Sequence, residues 1–295
     1  MSLLILSDGR MGHVNQSIAF AKYLNQPYDI VEVSFKQRLM KPLSYLFDNL
    51  YILTSTLFNA NITKQYNMVI GTGSSTYYAV KVLAKKMNAK SIVMMLPKGY
   101  RHDFSLIFAQ QHDNPTKEEN VVITPANFSY IEPKGIYCEE KKSIGIVIGG
   151  DNAIFKMSKT TIQAQLDFIQ KYYGDYRVAI TTSPRTSNEI EKLVASYNFH
   201  YELIFSKTPL NPIPDFLEQC ETVFITADST SMISEAISYG KSNVIVLPLE
   251  SQKSNKFKRF IQNLEEEKYL HIFDGSIKNR NKKIDFKAYT EGLNI

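Results

Sequence analysis

ETVFITADSTSMISEAISYGKSNVIVLPLE, residues 221–250, reads as strand, polar loop, helix, glycine and strand. Val223, Phe224 and Ile225 form the short apolar run expected of a strand buried on both faces. Asp228, Ser229, Thr230 and Ser231 crowd the entrance of the next helix, where short oxygen-bearing side chains satisfy free backbone N–H groups. Glu235 falls in the second turn, Gly240 stops the helix, and Val244–Leu247 forms the next strand. A helix N-terminus presents aimed donors and a partial positive charge, which suits a phosphate. A carboxylate farther along the helix can accept hydrogen bonds from a ribose diol. The segment therefore predicts a nucleotide-diphosphate site; an ordinary capped helix in an α/β domain is the alternative.

Working outward, the same alternation continues on both sides. Upstream lie a strand at 144–148, a Gly149-Gly150 turn, a helix at 158–172, a strand at 177–181, a helix at 187–197, a strand at 201–204 and a helix at 213–220; downstream, a helix is expected over 253–268. An earlier series places strands at 3–7, 28–33, 68–71, 91–95, 106–108 and 121–123, with helices at 13–24 and 75–87. Pro125–Lys142, with its prolines and weak periodicity, reads as a linker. The expectation is an α/β protein of two doubly wound, Rossmann-like parallel-sheet domains facing a cleft, 1–138 and 139–295, with the last helix or tail able to return to the first domain. Ligands of such sheets bind beyond the strand C-termini.

Composition narrows the partners. The net charge of +5 is a mild excess with no concentrated basic arm, which fits an anionic small molecule or membrane surface and not nucleic acid. Lys278, Arg280, Lys282, Lys283 and Lys287 read as a solvated tail. Cys138 and Cys220 are far apart and form no CxxC pattern, which disfavours a disulfide or zinc site and suggests a reducing cytoplasm. No secretion signal is expected at the N-terminus. The absence of GxxxxGK[ST], HExxH and GxSxG disfavours P-loop kinases, zinc hydrolases and serine hydrolases.

Residues 38–58 are unusually apolar. Leu39, Leu43, Leu46, Leu50, Leu53 and Leu57 recur at helical spacing, widened by Tyr45, Phe47, Tyr51, Ile52 and Phe58. The longest uncharged run, Asn49–Thr63, has 15 residues, short of the roughly 20 that a spanning helix needs. One long helix packed between sheet and neighbour is expected. The alternative is a helix dipping into the bilayer interface, with Lys36, Arg38 and Lys41 meeting anionic lipid heads and the protein peripheral on the inner face of the cytoplasmic membrane.

The strand-end loops carry the candidate chemistry. SDGRMGHVNQS, Ser7–Ser17, sets Gly9 and Gly12 for close backbone approach, Arg10 as an anion fork, and Asp8, His13, Asn15 and Gln16 around the helix start. His13 is the first candidate for general base, with Asp8 and Asp151 as further catalytic candidates. IGTGSST offers Gly71, Gly73, Ser74, Ser75 and Thr76 as another anion-ready entrance; its missing third glycine argues against a nicotinamide cofactor. In VIGGDN, Gly149 and Gly150 bring backbone to a ligand beside Asp151 and Asn152. In TTSPRTS, Thr181, Thr182 and Ser183 precede Arg185, the expected pyrophosphate clamp. No cofactor is required, although Asp8, Asp151 and Asp228 could hold a divalent cation if the fold brings them together.

In this order, SDGRMGHVNQS, GGDN, TTSPRTS and TADSTSMISEAISYGK resemble the family of bacterial and plant proteins named after a plant mitochondrial fission factor, described as glycosyltransferases of the GT-B type. The last motif also resembles the donor site of the GT-B enzymes that make the lipid-linked peptidoglycan precursor; Ser234, Glu235, Gly240 and Val244–Pro248 match it. The resemblance implies a GT-B-like fold and a nucleotide-sugar partner. The donor would lie against Gly149, Gly150, Arg185, Ser229, Thr230, Ser231 and Glu235, and a lipid or glycan acceptor near Gly12, His13 and Asn15. The leading expectation is transfer from a UDP-sugar to a lipid or cell-surface polysaccharide precursor. Hydrolysis of the pyrophosphate in a UDP-linked acylated sugar, as in lipid A-type biosynthesis, is the second. A non-enzymatic, membrane-associated nucleotide-binding adaptor is the third.

Overall fold

Two all-parallel, six-stranded sheets organise the chain. The computed structural model describes residues 2–251, 256–277 and 281–293. The chain divides into unit 1, Met1–Tyr130 with Asp285–Ile295, and unit 2, Ile131–Ile284. This break precedes the expected 138/139. The carboxylate of Asp215, in unit 2, accepts the N–H groups of Lys134, Gly135 and Ile136, each at 2.9 Å, and so ties the linker to that unit. The tail rejoins unit 1 through Phe286, whose ring lies 4.7 Å from that of Phe128.

In unit 1 the sheet contains β1 (Leu3–Ser7), β2 (Tyr28–Glu32), β5 (Met68–Gly71), β6 (Lys90–Val93), β7 (Leu106–Gln110) and β8 (Val121–Thr124), in the order β2-β1-β5-β6-β7-β8. Helices α1 (Met11–Tyr23) and α3 (Tyr77–Met87) cover it. A small antiparallel pair, β3 (Ser34–Phe35) and β4 (Phe58–Asn59), stands apart. Unit 2 holds β9 (Ser143–Ile148), β10 (Arg177–Thr182), β11 (Tyr201–Leu203), β12 (Thr222–Thr226), β13 (Asn243–Leu247) and β14 (His271–Ile272), in the order β11-β10-β9-β12-β13-β14. Its helices are α4 (Lys159–Tyr172), α5 (Asn188–Val194), α6 (Ile213–Gln219), α7 (Thr230–Ser238) and α8 (Lys256–Glu266). The expected start of α8 at Lys253 lies outside the described residues. Strands β1, β5, β9 and β12 are buried along their whole length, which explains why their sequences are continuous apolar runs.

In each parallel sheet the order in which successive strands are added switches sides once, between β1 and β5 in unit 1 and between β9 and β12 in unit 2. At such switch points the loops after adjacent strands diverge and leave a crevice for ligand.

The long apolar helix is not formed. The helix here, α2, covers only Met40–Asn49. Tyr51 turns left-handed at φ 60°. The N–H of Ile52 then bonds back to the carbonyl of Phe47 at 2.8 Å, the bond that closes a helix end. A 3-10 turn at Ser55–Leu57, capped by Thr54, leads into β4 and buries Leu57 and Phe58. Among the described residues no helix is long and apolar enough to cross a membrane. The basic tail is also not wholly solvated. Lys283 donates to the carbonyl of Ala236 at 2.7 Å, and burial pulls its ammonium down to about 8. Lys278 and Arg280 lie outside the described residues.

Candidate functional site

The unit 2 switch point is built around a carboxylate that sequence reading offered to ligand or metal. Asp228 follows β12, and its side chain is fully enclosed. It accepts hydrogen bonds from the Gly150 N–H at 3.1 Å, the Thr226 hydroxyl at 2.7 Å and the Arg185 guanidinium at 2.7 Å. The Thr226 hydroxyl in turn accepts the Gly149 N–H at 2.7 Å. A Cβ on Gly149 would stand 2.1 Å from the Asp228 carboxylate, and one on Gly150 would stand 2.0 Å from the Arg185 carbonyl. Glycine is required here so that the β9 and β12 loops can close on each other.

Several expected ligand contacts are therefore internal braces. The N–H groups of Gly149 and Gly150 are already used. Asn152 donates to the Asp228 carbonyl and accepts from the N–H groups of Ile154 and Phe155. Thr182 is buried, donating to Glu191 and accepting from the Phe205 N–H. Ser234 is buried and donates back to the Thr230 carbonyl. Asp151 closes its own loop onto Lys156 and the Met157 N–H, and the Lys156 hydrogen bond holds its carboxyl below the usual range. Thr186, which the sequence reading passed over, donates to the Gly149 carbonyl at 2.5 Å.

What remains open forms one group. Ser229 caps α7 by accepting the Met232 N–H at 3.4 Å. The N–H and hydroxyl groups of Thr230 and Ser231 have no protein partner among the described residues. The Arg185 side chain is 42% exposed, so the edge of its guanidinium not held by Asp228 is available. One turn farther on, Glu235 is half-buried; its carbonyl accepts the Ser238 hydroxyl at 3.2 Å, while its carboxylate makes no hydrogen bond or ion pair among the described residues. Desolvation alone raises its carboxyl to about 7. A hollow of about 180 Å³ lies beside the ends of β12 and β13, walled by Phe155, Ala227, Val246, Pro248 and Leu249.

In unit 1 the first and third loops meet at the other switch point. His13 Nδ1 lies 3.0 Å from the Asp8 carboxylate, which also accepts the Arg10 N–H at 3.2 Å. Gly73, at φ +89°, leaves room for the His13 ring; a Cβ there would stand 2.5 Å from it. Arg10, Gly12 and Asn15 are exposed. Gln16 is buried, donates to the Gly12 carbonyl at 3.1 Å, and leaves its side-chain oxygen without a partner. Ser74 accepts from Lys41 at 2.8 Å, while its carbonyl accepts from the Tyr100 hydroxyl. Sequence reading missed Tyr100 altogether and assigned Lys41 to another role, because their proximity to this loop is purely tertiary. Among the described residues no three His, Cys, Asp or Glu groups come together to hold a metal. A cavity of about 620 Å³ sits at the far end of α3, against residues 58–65, and shares no residue with either cluster.

The family model described as Mitochondrial fission ELM1 matches residues 11–289. The uncharacterised protein RP120 of Rickettsia prowazekii (strain Madrid E) is 26% identical over 326 residues, covering 94% of this chain and 92% of that protein. Among solved structures, the calicheamicin glycosyltransferase CalG4 superposes with a TM-score of 0.52 at 10% identity, covering 92% of this chain and 84% of that one. MurG from Acinetobacter baumannii gives 0.49 at 12% identity, with 92% and 85% covered. The similarity to CalG4 shows a shared fold, that of the GT-B glycosyltransferases.

Proposed function

This chain belongs to the mitochondrial fission ELM1 family, and from that premise we propose that it is a glycosyltransferase using a nucleotide-diphosphate sugar, with a UDP-sugar as donor and a lipid or surface-polysaccharide precursor as acceptor. The carrying observation is Glu235: a desolvated carboxylate without a partner, one turn beyond an open helix N-terminus. An unpaired, partly desolvated carboxylate is costly, and hydroxyl donors from a ribose would relieve it. The donor diphosphate would then rest on the N–H groups of Thr230 and Ser231, with Arg185 at its edge. The hollow beside Pro248 would take the flat base.

In the reaction, the sugar C1–O bond to the diphosphate breaks as the acceptor oxygen bonds to C1. The electron pair leaves with the diphosphate, whose growing charge is met by the α7 N-terminus and Arg185. The acceptor proton needs a base; within unit 1 the candidate is His13 Nε2, with Asp8 set to accept from Nδ1–H and fix the ring. Metal is not needed for this route. The supporting features are the match to CalG4 in fold and the clustering of open groups at the switch points.

The test is sugar transfer from UDP-sugars to lipid acceptors. Glu235→Ala is expected to abolish UDP-sugar binding. His13→Ala is expected to preserve binding and lower kcat by about 10²–10⁴-fold. Undiminished transfer in Glu235→Ala would overturn the assignment, and release of UMP in place of UDP would select pyrophosphate hydrolysis.

A further inference from the structure

Helix α2 is inside out. At about 100° per residue, Leu39, Leu46 and Leu50 fall on one narrow stripe, and Lys41, Ser44 and Asp48 on the opposite side. In a globular protein the leucine stripe should face the core. Here the side chains of Ser44 and Asp48 are fully buried, while Leu39 is 75% exposed, Leu46 53% and Leu50 57%. Tyr51 and Ile52, in the turn that follows, are exposed as well.

The inward polar side is completely satisfied. Asp48 accepts from Lys81 at 2.7 Å and from the Arg101 N–H at 2.7 Å; Ser44 pairs with the Tyr100 hydroxyl at 2.8 Å. The helix is therefore held in this orientation by buried polar bonds, and turning it over would break them. Arg101 also stacks on the Tyr51 ring at 3.6 Å, which fixes the end of the stripe. Three leucines left exposed on one stripe, with Tyr51 and Ile52 exposed in the turn that follows, mark an interaction site.

We propose that this face docks on an anionic lipid bilayer, with α2 lying in the interface plane. The charge pattern chooses this occupant. Lys36 and Arg38 are exposed immediately ahead of the stripe, and the acidic residue within the helix, Asp48, is buried and neutralised by Lys81. A second copy of the chain paired through α2 would bring these cations against each other or against a helix end with no free carboxylate. A bilayer supplies both acyl chains for the leucines and headgroup phosphates for the cations. The docking stands apart from the proposed sugar transfer, because no donor-site residue takes part in it.

The chain contains no tryptophan, so Leu46→Trp gives a single reporter at the centre of the face. The experiment is sedimentation of the full chain, without nucleotide, with vesicles of phosphatidylcholine alone or of equimolar phosphatidylcholine and phosphatidylglycerol. Binding is expected to the anionic vesicles, to weaken with salt, and to shift the Leu46→Trp emission to the blue. Leu46→Ser with Leu50→Ser is expected to weaken binding about tenfold or more. Lys36→Glu with Arg38→Glu is expected to weaken it at least tenfold. All four positions are exposed, so the variants should keep the parent circular dichroism and Tm. No binding to anionic vesicles, or binding that both double variants leave unchanged, overturns the proposal. A dimer dissolved by the leucine substitutions, without vesicle binding, overturns it in favour of self-association.

Discussion

The two switch points are built to different tolerances. In unit 2 the loops after β9 and β12 interlock through Asp228, which holds the Gly150 backbone, Thr226 and Arg185 at once. In unit 1 the segments after β1 and β5 meet through the buried Ser17–Thr72 hydroxyl pair at 2.9 Å and the His13 ring against Gly73, while the His13–Asp8 contact stays within the β1 loop and α1 begins without a side-chain cap. Under the proposed reaction, a surface that reads a fixed diphosphate would benefit from rigidity, since its donors must already point where charge develops, and a base that meets varied hydroxyls would tolerate slack. The difference also shows why a motif of short polar residues is ambiguous: in unit 2 most of them serve the scaffold and a minority face outward.

The strongest way to break this contrast is Asp228→Ala. It strands the Gly150 N–H and the Thr226 hydroxyl and releases the partly exposed Arg185, so unit 2 is expected to lose about 2–4 kcal/mol, read as faster hydrogen exchange in β9 and β12 with unit 1 unaffected. Equal loosening in both units would contradict the interlock. Next in size is the pH dependence set by Glu235. Its folded value of about 7 lies above the ordinary 4.5, so between these values the folded chain retains a proton that the unfolded chain has lost. Stability is fullest below 4.5 and declines as pH rises to about 7. Glu235→Gln should remove that decline, matching the parent near the acid end and exceeding it by about 2–3 kcal/mol above neutrality. Denaturant titrations across this range check it, and parallel curves would reject the desolvation. The smallest effect is Gly9→Ala. The residue sits at φ +81° with no atom near the position of a new Cβ, so only backbone strain of about 1 kcal/mol is expected. A larger loss would mean that the unit 1 loop is as tightly fitted as its counterpart.

Much of the architecture was readable from the chain. Continuous apolar runs such as Leu3–Ser7 and Val244–Leu247 announce strands buried on both faces, and Gly240 announces the end of α7, where φ is +69°. The places of His13 and Glu235 beside helix starts that follow strands were legible, because the strand–loop–helix pattern puts them there. The roles of Thr182, Asn152 and Asp228 were not, because each residue type fits a ligand contact as well as a brace; only the positions of Glu191, Phe155 and Arg185 decide. The most instructive miss is α2. Periodicity reveals that leucines share a side, but it is silent on whether that side meets protein or surroundings. The answer came from Lys81 and Arg101, distant residues that claim the polar side for the interior. The early stop at Tyr51 was hidden for a related reason: Leu57 and Phe58 gain more from burial beside β4 than from continuing a helix.

The hydrogen bond from Lys41 to Ser74 has a kinetic consequence. It fastens α2 to the loop whose Gly73 borders the His13 ring. With α2 anchored to a leaflet, an acceptor would be encountered by two-dimensional search along that leaflet. Under the proposed transfer to a lipid acceptor, turnover would then follow the mole fraction of acceptor in the surface and be indifferent to its total amount in the tube, so adding inert carrier lipid should slow it by dilution alone.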